Sequence, residues 1–562
     1  MAMTWGATYH VDVRGDDAAE GTEQAPWRTI QRAVQSAQPG DTVLVHSGVY
    51  PERITTIRGG SSEEARIRFK AMGTVEMRGF IINHPYVTVE GFDITGHSAA
   101  QNLDAYVRVN NGGYGFELLA CTIRDGMAIK RDDIEFVPPD RIRSPAGGFL
   151  QAGFHPGQTI LVMRGSNQAV ANAGSFVVAE VTDTELRLTS QTIQAEGPKP
   201  VYISGSAQYG LLTGSGTANC RFRSNRLSNL SYRYVFLQGV GHRFEYNVIE
   251  NNNGWDLLFW TGTNHIVQGN WFRNLGWGVY EPSPDIFDNW PVRYENIWFT
   301  NNFVQNVIGV INAQKRNGTV SGPLFIRHNV FIDIGWLSLV FPNTIVEHNT
   351  FLRVAKRSNV AVQRESHPII VNAENYATNV VIQNNLFVDC GQPAGAVSED
   401  QVGWYRFIGS SESAVLGGNF VAGAPPLYAA KSSWPESPDL NGGDPGFRNV
   451  DDPLGPDGVP FTADDGLRLR ADSRLLGAGV GGATIGAYEL PYVESVTLDI
   501  VRLNDREVGI RWPRSIWNWT VEWAPNPQGP WMVVARPAEA TESGWQVRVP
   551  ADEPGMWFRL RR

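Results

Sequence analysis

The stretch Phe222-Arg-Ser-Asn225-Arg-Leu227-Ser-Asn229 returns, one turn of chain later, as Phe244-Glu-Tyr-Asn247-Val-Ile249-Glu-Asn251. It returns again at Val267/Asn270/Phe272/Asn274, Phe299/Asn302/Val304/Asn306 and Ile326/Asn329/Phe331/Asp333. Val346/Asn349/Phe351 and Ile382/Asn385/Phe387/Asp389 follow, and Leu416/Asn419/Val421 is a weaker copy. Upstream, Val89–Ile94 and Leu118–Asp125 are degenerate copies with Phe92 and Cys121 in the Asn position. Successive Asn residues lie 22, 23, 32, 27, 20, 36 and 34 residues apart. No heptad fits that spacing. Short strands with apolar residues on one face do, wound into coils of about 20 residues that share one core. The expected fold is therefore all-β, a right-handed parallel β-helix. The repeated Asn is expected at a left-handed turn position, with its amides stacked into a hydrogen-bonded ladder about 4.8 Å per step.

Outward from the repeat, four regions separate. Residues 1–130 hold an N-terminal cap and the first coils, with a capping helix expected over Pro26–Ala37 that buries Ile30, Ala33, Val34 and Ala37. Residues 131–205 break the repeat. Their alternating strands, such as Val177–Leu188, predict a small inserted β-barrel, which either walls a cleft or is a bystander module. Residues 206–490 form the main β-helix, and residues 495–562 read as a separate β-sandwich.

Gly21-Thr22, Pro26-Trp27, Thr29-Ile30 and Ala33, followed by Pro39-Gly40-Asp41-Thr42-Val43 and Gly48-Val49-Tyr50, resemble the N-terminal signature of the pectate-lyase-like β-helix superfamily. That resemblance implies the fold. It does not choose among the lyases, glycosidases, epimerases, esterases and adhesins that share it. The end of the repeat, Gly443–Phe447 to Ile485–Glu489, resembles the closing coil of such proteins, and 495–562 resembles fibronectin type III-like modules of secreted bacterial proteins.

The 562 residues carry a formal charge of −10, which disfavours nucleic acid and anionic membrane surfaces as partners. No apolar run is long enough to span a bilayer, and a secreted, monomeric protein acting on a polysaccharide is expected. Cys121, Cys220 and Cys390 have neither disulfide nor metal spacing and read as small buried hydrophobes. No cofactor is required. Asp451, Asp452, Asp457, Asp464 and Asp465 offer oxygen ligands of the kind calcium takes, against the plainer reading of a solvated turn.

Stacked coils line up side chains from distant parts of the chain. The segment from Trp255 to Arg316 is rich in groups that suit sugar chemistry. Asp256, Asp285, Glu281 and Asp288 are the catalytic candidates, because glycoside hydrolysis needs one protonated and one ionised carboxyl. Aligning like sequences pairs Asp256 with Asp285, whereas counting back from the ladder Asn pairs it with Asp288. Arg233, Tyr232, Trp255, Trp260, Trp277, Tyr280, Trp290 and Lys315 are the substrate-binding candidates, the indoles as platforms for sugar rings. Two rival readings stand beside hydrolysis. A polysaccharide lyase would use Arg233, Lys315 or Arg316 against a uronate, with Tyr232 or His242 exchanging protons. A non-catalytic carbohydrate-binding β-helix would use the same groove without turnover.

Overall fold

The structure is a computed structural model. It describes residues 6–561 except 98–103, 166–167, 190–191, 231–232, 252–257, 261, 276–293, 308–310, 313–321, 336, 340–341, 356–368, 373–378, 391–404, 409–413, 423–439, 442, 489–497, 505, 514–519, 526–531, 535–537, 542–543 and 551–555.

Each coil contributes short strands to parallel sheets. A first sheet passes through Thr8–Val11, Thr42–Thr55 and Ile67–Ile82, then Val87–Glu90, Glu117–Leu119 and Arg221–Arg223, and on to Ala414–Gly417. A second sheet follows the Asn position of each coil, from Thr122–Arg124 and Arg226–Ser228 to Phe420–Ala422 and Leu440–Asn441. A third contains Ala105–Val109, Tyr209–Thr213, Arg233–Leu237 and Leu258–Trp260. Like residues pair with like: Phe222 with Phe244, Leu227 with Ile249, Phe331 with Phe351 and Phe351 with Phe387. The last three rings stack 5.0 and 4.7 Å apart, close to the strand spacing itself.

The ladder closes the turn between the first two sheets. Asn247 Oδ1 accepts from the backbone N–H and the Nδ2 of Asn225, at 2.9 and 3.0 Å. Asn247 Nδ2 donates to Phe222 O and to Asn270 Oδ1, both at 3.0 Å. The same bonds repeat through Asn302, Asn329, Asn349, Asn385 and Asn419. All of these side chains are buried. Cys121, in the Asn position of an earlier coil, keeps one bond of the set, its N–H donating to Asn225 Oδ1. The backbone expectation needs correction. The left-handed residue is not the ladder Asn but its predecessor: Ser224, Tyr246, Asn301, His328, His348 and Asn384. The later polar position is left-handed too, at Asn229, Asn251, Asn274, Asn306, Asp333 and Asp389. The ladder amide must point inward from ordinary backbone, so the turn falls on the residue beside it, whose side chain points out.

A second ladder uses imidazole. The N–H groups of Cys220 and His242 donate to Nδ1 of His242 and His265, each at 3.1 Å, and the two rings stack 5.0 Å apart.

The cap helix is Ile30–Ser36, shorter than the predicted Pro26–Ala37, because Thr29 caps it by accepting from Arg32 N. The Glu52 carboxylate accepts the N–H groups of Ile30 and Gln31 at that end. Trp27 is extended backbone bridged to Val11. The insertion is a closed six-stranded barrel between Ala128–Val137 and Glu196–Ser204, antiparallel throughout, with a hydrophobic cluster of its own. At the C-terminus two small antiparallel sheets share a core around Ile510, Trp512, Val521 and Val547. All three cysteines are buried free thiols, and burial pushes Cys121 and Cys220 up to about 12.

Residues 443–488 differ from the expected closing coil. After Leu440–Asn441 the chain turns back over the outer face of the second sheet. Phe447, Phe461, Leu467, Leu469, Leu475 and Ile485 pack there on Phe303, Val330, Ile332, Leu352, Leu386 and Phe420. Ala487 N–H donates to Thr350 Oγ1, and Val480 N–H to Asn384 Oδ1. Those strands are apolar on both faces, as strands covered on both sides must be. The strap carries a buried polar knot in which Asp465 accepts from Tyr488 Oη at 2.5 Å and from Thr462 Oγ1 at 2.9 Å.

Replacing Asn302 by Ala takes from Asn270 N–H and Val267 O the Asn302 amide that each is bonded to, and removes one of the two bonds made by Asn270 Nδ2 and by Asn329 Oδ1. At about 1–3 kcal/mol per orphaned group, offset by relaxation, urea denaturation should show a loss of about 3 kcal/mol or more. A loss below about 1 kcal/mol would mean that the ladder is ornamental. Burial raises the Asp465 carboxyl to about 7, from an ordinary 3.8. Its contribution to stability is therefore full below the ordinary value and is lost as pH rises toward 7. Asp465→Asn should flatten the fall in melting temperature between pH 4 and 7, and an unchanged slope would contradict this.

Candidate functional site

Insertions cluster where the chain passes from the second sheet to the third. Between Thr122–Arg124 and Tyr209–Thr213 this corner holds the whole barrel. On the next coil the chain crosses directly from Ser228 to Arg233. The register of the third sheet then stacks Ala105, Tyr209 and Arg233 on consecutive coils.

Arg233 is the predicted site residue whose side chain the structure describes. Its Nη1 donates to Tyr209 Oη at 2.5 Å, and its guanidinium lies 5.5 Å from the centre of that ring. Tyr209 in turn stacks on Phe236, centroids 5.8 Å apart. Ala105, Tyr209 and Leu212 form a small buried cluster apart from the main core. An Arg held by a ring and a phenol is fixed in direction, which suits it to presenting a cation to an oxygen-rich ligand. Trp260 ends the strand Leu258–Trp260, its backbone paired with Leu237. Asp256, Asp285, Glu281, Asp288, Tyr232, Trp255, Trp277, Tyr280, Trp290 and Lys315 lie outside the described residues, as does Arg316.

His242 requires a correction. It is fully buried between Cys220 and His265, and its Nε2 faces Gln238 O at 2.6 Å. Burial first, then His265, depresses its pKa to about 3. An imidazole that stays neutral inside the coil exchanges no proton with a substrate, so the lyase reading loses that group.

One cluster escaped sequence reading. At the start of Ala105–Val109, the Asp104 carboxylate meets His97 Nε2 at 2.8 Å and Arg53 Nη2 at 2.5 Å. Arg53 also donates to Ala105 O at 2.6 Å. Burial works to raise the Asp104 carboxyl, but the bond from His97 and the charge of Arg53 outweigh it and hold it below the usual range. Fifty-one residues separate Arg53 from Asp104, and His97 stands in a stretch without the repeat, so no sequence spacing signals the trio.

Among the described residues, no group of three or more His, Cys, Asp and Glu is arranged to hold a metal. In the acidic stretch near the end, Asp457 N–H donates to Asp464 Oδ2 and Val459 N–H to Asp457 Oδ1, while Asp465 serves the buried knot.

Residues 13–58 match a family described as a protein of unknown function, DUF1565. No curated protein matches the chain. Among solved structures the chain is similar to XylC in complex with xylose, at 10% identity and TM-score 0.32, over 98% of this chain and 100% of that one. It is similar to pectate lyase Pel9A at 15% identity and TM-score 0.38, over 87% and 97%. It is also similar to the GH136 lacto-N-biosidase from Eubacterium ramulus at 12% identity and TM-score 0.39, over 78% and 67%. The coil is defined by its own strand pairing, independently of these resemblances.

Asp104→Asn should cost about 3 kcal/mol at neutral pH, the usual penalty for leaving a half-buried cation unpaired. Because the folded pKa is depressed, the difference from wild type should shrink as pH falls below the ordinary carboxylate value. Equal stability of the two proteins at pH 7 would refute the pairing.

Proposed function

We propose that this chain is a secreted glycoside hydrolase that cuts a polysaccharide lying across the third sheet. The reading is supported by one observation above the others: the unbroken register that stacks Tyr209 on Arg233 and carries Val235 onto Leu258. Asp256 stands two residues before Leu258, as Arg233 stands two before Val235. On this reading Asp256 continues the row on the next coil, beside a fixed cation. A neighbouring guanidinium favours the ionised carboxyl, so Asp256 takes the part of base or nucleophile. The proton donor on this reading is Asp285, Asp288 or Glu281, since hydrolysis needs a protonated carboxyl beside the ionised one. Trp255, Trp260, Trp277, Tyr280 and Trp290 supply rings for stacking sugars, and Tyr232 and Lys315 supply polar contacts.

A second reading, β-elimination on a uronate polymer, draws support from the Arg233–Tyr209 pair, since a uronate carboxylate needs such a cation. The two reactions leave different products. Xylan, mannan, homogalacturonan and alginate should be digested while both reducing ends and ultraviolet absorbance are followed. Hydrolysis yields reducing ends alone, and elimination also yields unsaturated uronides. Asp256→Asn and the best of Asp285→Asn, Asp288→Asn and Glu281→Gln should each lower kcat about 10²–10⁴-fold. Full activity in all four variants would dismiss the site. Tight binding without product from any polymer would leave a binding protein.

A further inference from the structure

The barrel gives the coil nothing that the coil lacks. Its buried residues, among them Ile134, Phe136, Ile160, Val178, Leu186 and Ile203, form a cluster separate from the coil's core. The coil runs past it in register, with Thr122 on Arg226 before the insertion and Ala105 on Tyr209 after it. Its two ends meet at a narrow neck. Gly205 N–H donates to Met127 O at 2.8 Å, and Met127 N–H to Ser206 Oγ at 3.0 Å. Gln158 Nε2 stitches the barrel wall to Gly205 O at 2.6 Å, which fixes the barrel's direction at the neck.

Its size then matters. A compact body of residues 128–204 has a radius of gyration of about 11 Å, while neighbouring coils are only about 4.8 Å apart. Such a body cannot stand within one coil layer. It is wider than the coil layer it springs from, and on the next coil only four residues separate Ser228 from Arg233. Tyr209, the first residue of the third sheet after the neck, is 1% exposed although it lies outside the main core.

We infer that the barrel is the end wall of a groove that begins at Arg233, above the buried Tyr209 that holds it, so that a polysaccharide is taken by its chain end and cannot run through. This rests on the carbohydrate reading above and adds its mode of action. The test uses the full chain, wild type against a variant with residues 128–204 removed and Met127 joined to Gly205, whose hydrogen-bonded backbones permit a direct join. The substrate is whichever of xylan, mannan, homogalacturonan or alginate the wild type degrades. Wild type should release short products while viscosity falls slowly. The shortened chain should cut internally, so that viscosity falls severalfold further for each new reducing end. A second variant keeps the barrel but loosens the neck with Gly-Ser insertions on both sides, and should shift the same way to a smaller degree. An unchanged ratio of viscosity loss to reducing ends in either folded variant overturns the wall while leaving the catalytic reading intact. No product from wild type on any polymer removes the catalytic reading, and the wall with it.

Discussion

A buried amide that finds all its partners in the coils above and below is the constraint on which this molecule rests. From Asn247 to Asn385 the ladder Asn accepts two hydrogen bonds through Oδ1 and donates at least two through Nδ2, so its amide is fully used inside the turn. Unsatisfied, the same amide would cost more than most apolar contacts return. The ladder therefore holds only when every coil keeps the same frame. That requirement transmits register from Asn225 to Asn419 across loops of very different length. The His242–His265 stack applies the same rule with a ring nitrogen as acceptor.

Fixed register has a chemical consequence. Residues far apart in sequence become neighbours at strand spacing, as Tyr209 and Arg233 do. Arg53 and Asp104 meet differently, their side chains reaching past the intervening strand Ile67–Ile82. A rigid row of this kind can present charges in a set order without any moving part, which suits a long, repetitive ligand. The strap over the second sheet adds to that rigidity, because it gives those strands a second core on the face that would otherwise meet water.

Much of the architecture was legible in the chain. The Phe222/Asn225/Leu227 frame announced coils, core residues and ladder, and Ile30, Ala33 and Val34 announced the buried face of the cap helix. The barrel was visible as alternation where the repeat stops. Less was legible in local backbone and in long-range packing. The left-handed turn falls on Tyr246 and His328, residue types that do not advertise it, because the turn is set by the inward-pointing Asn that follows and not by the side chain at the turn itself. Residues 443–488 were expected to close the coil, because nothing local links them to the outer faces of Val330–Ile334 and Leu386–Val388 that they cover.

The sequence by itself determined the periodicity, and with it the coil, since an amide that must be satisfied every turn leaves a mark at every turn. Tertiary structure alone decided which side chains meet. It buried His242 out of reach of any substrate, joined Arg53, His97 and Asp104, and set Arg233 on Tyr209 beside the barrel's neck. The reason is that loop lengths between coils vary freely, so separation along the chain carries no information about distance until the hydrogen bonds between coils have fixed the register.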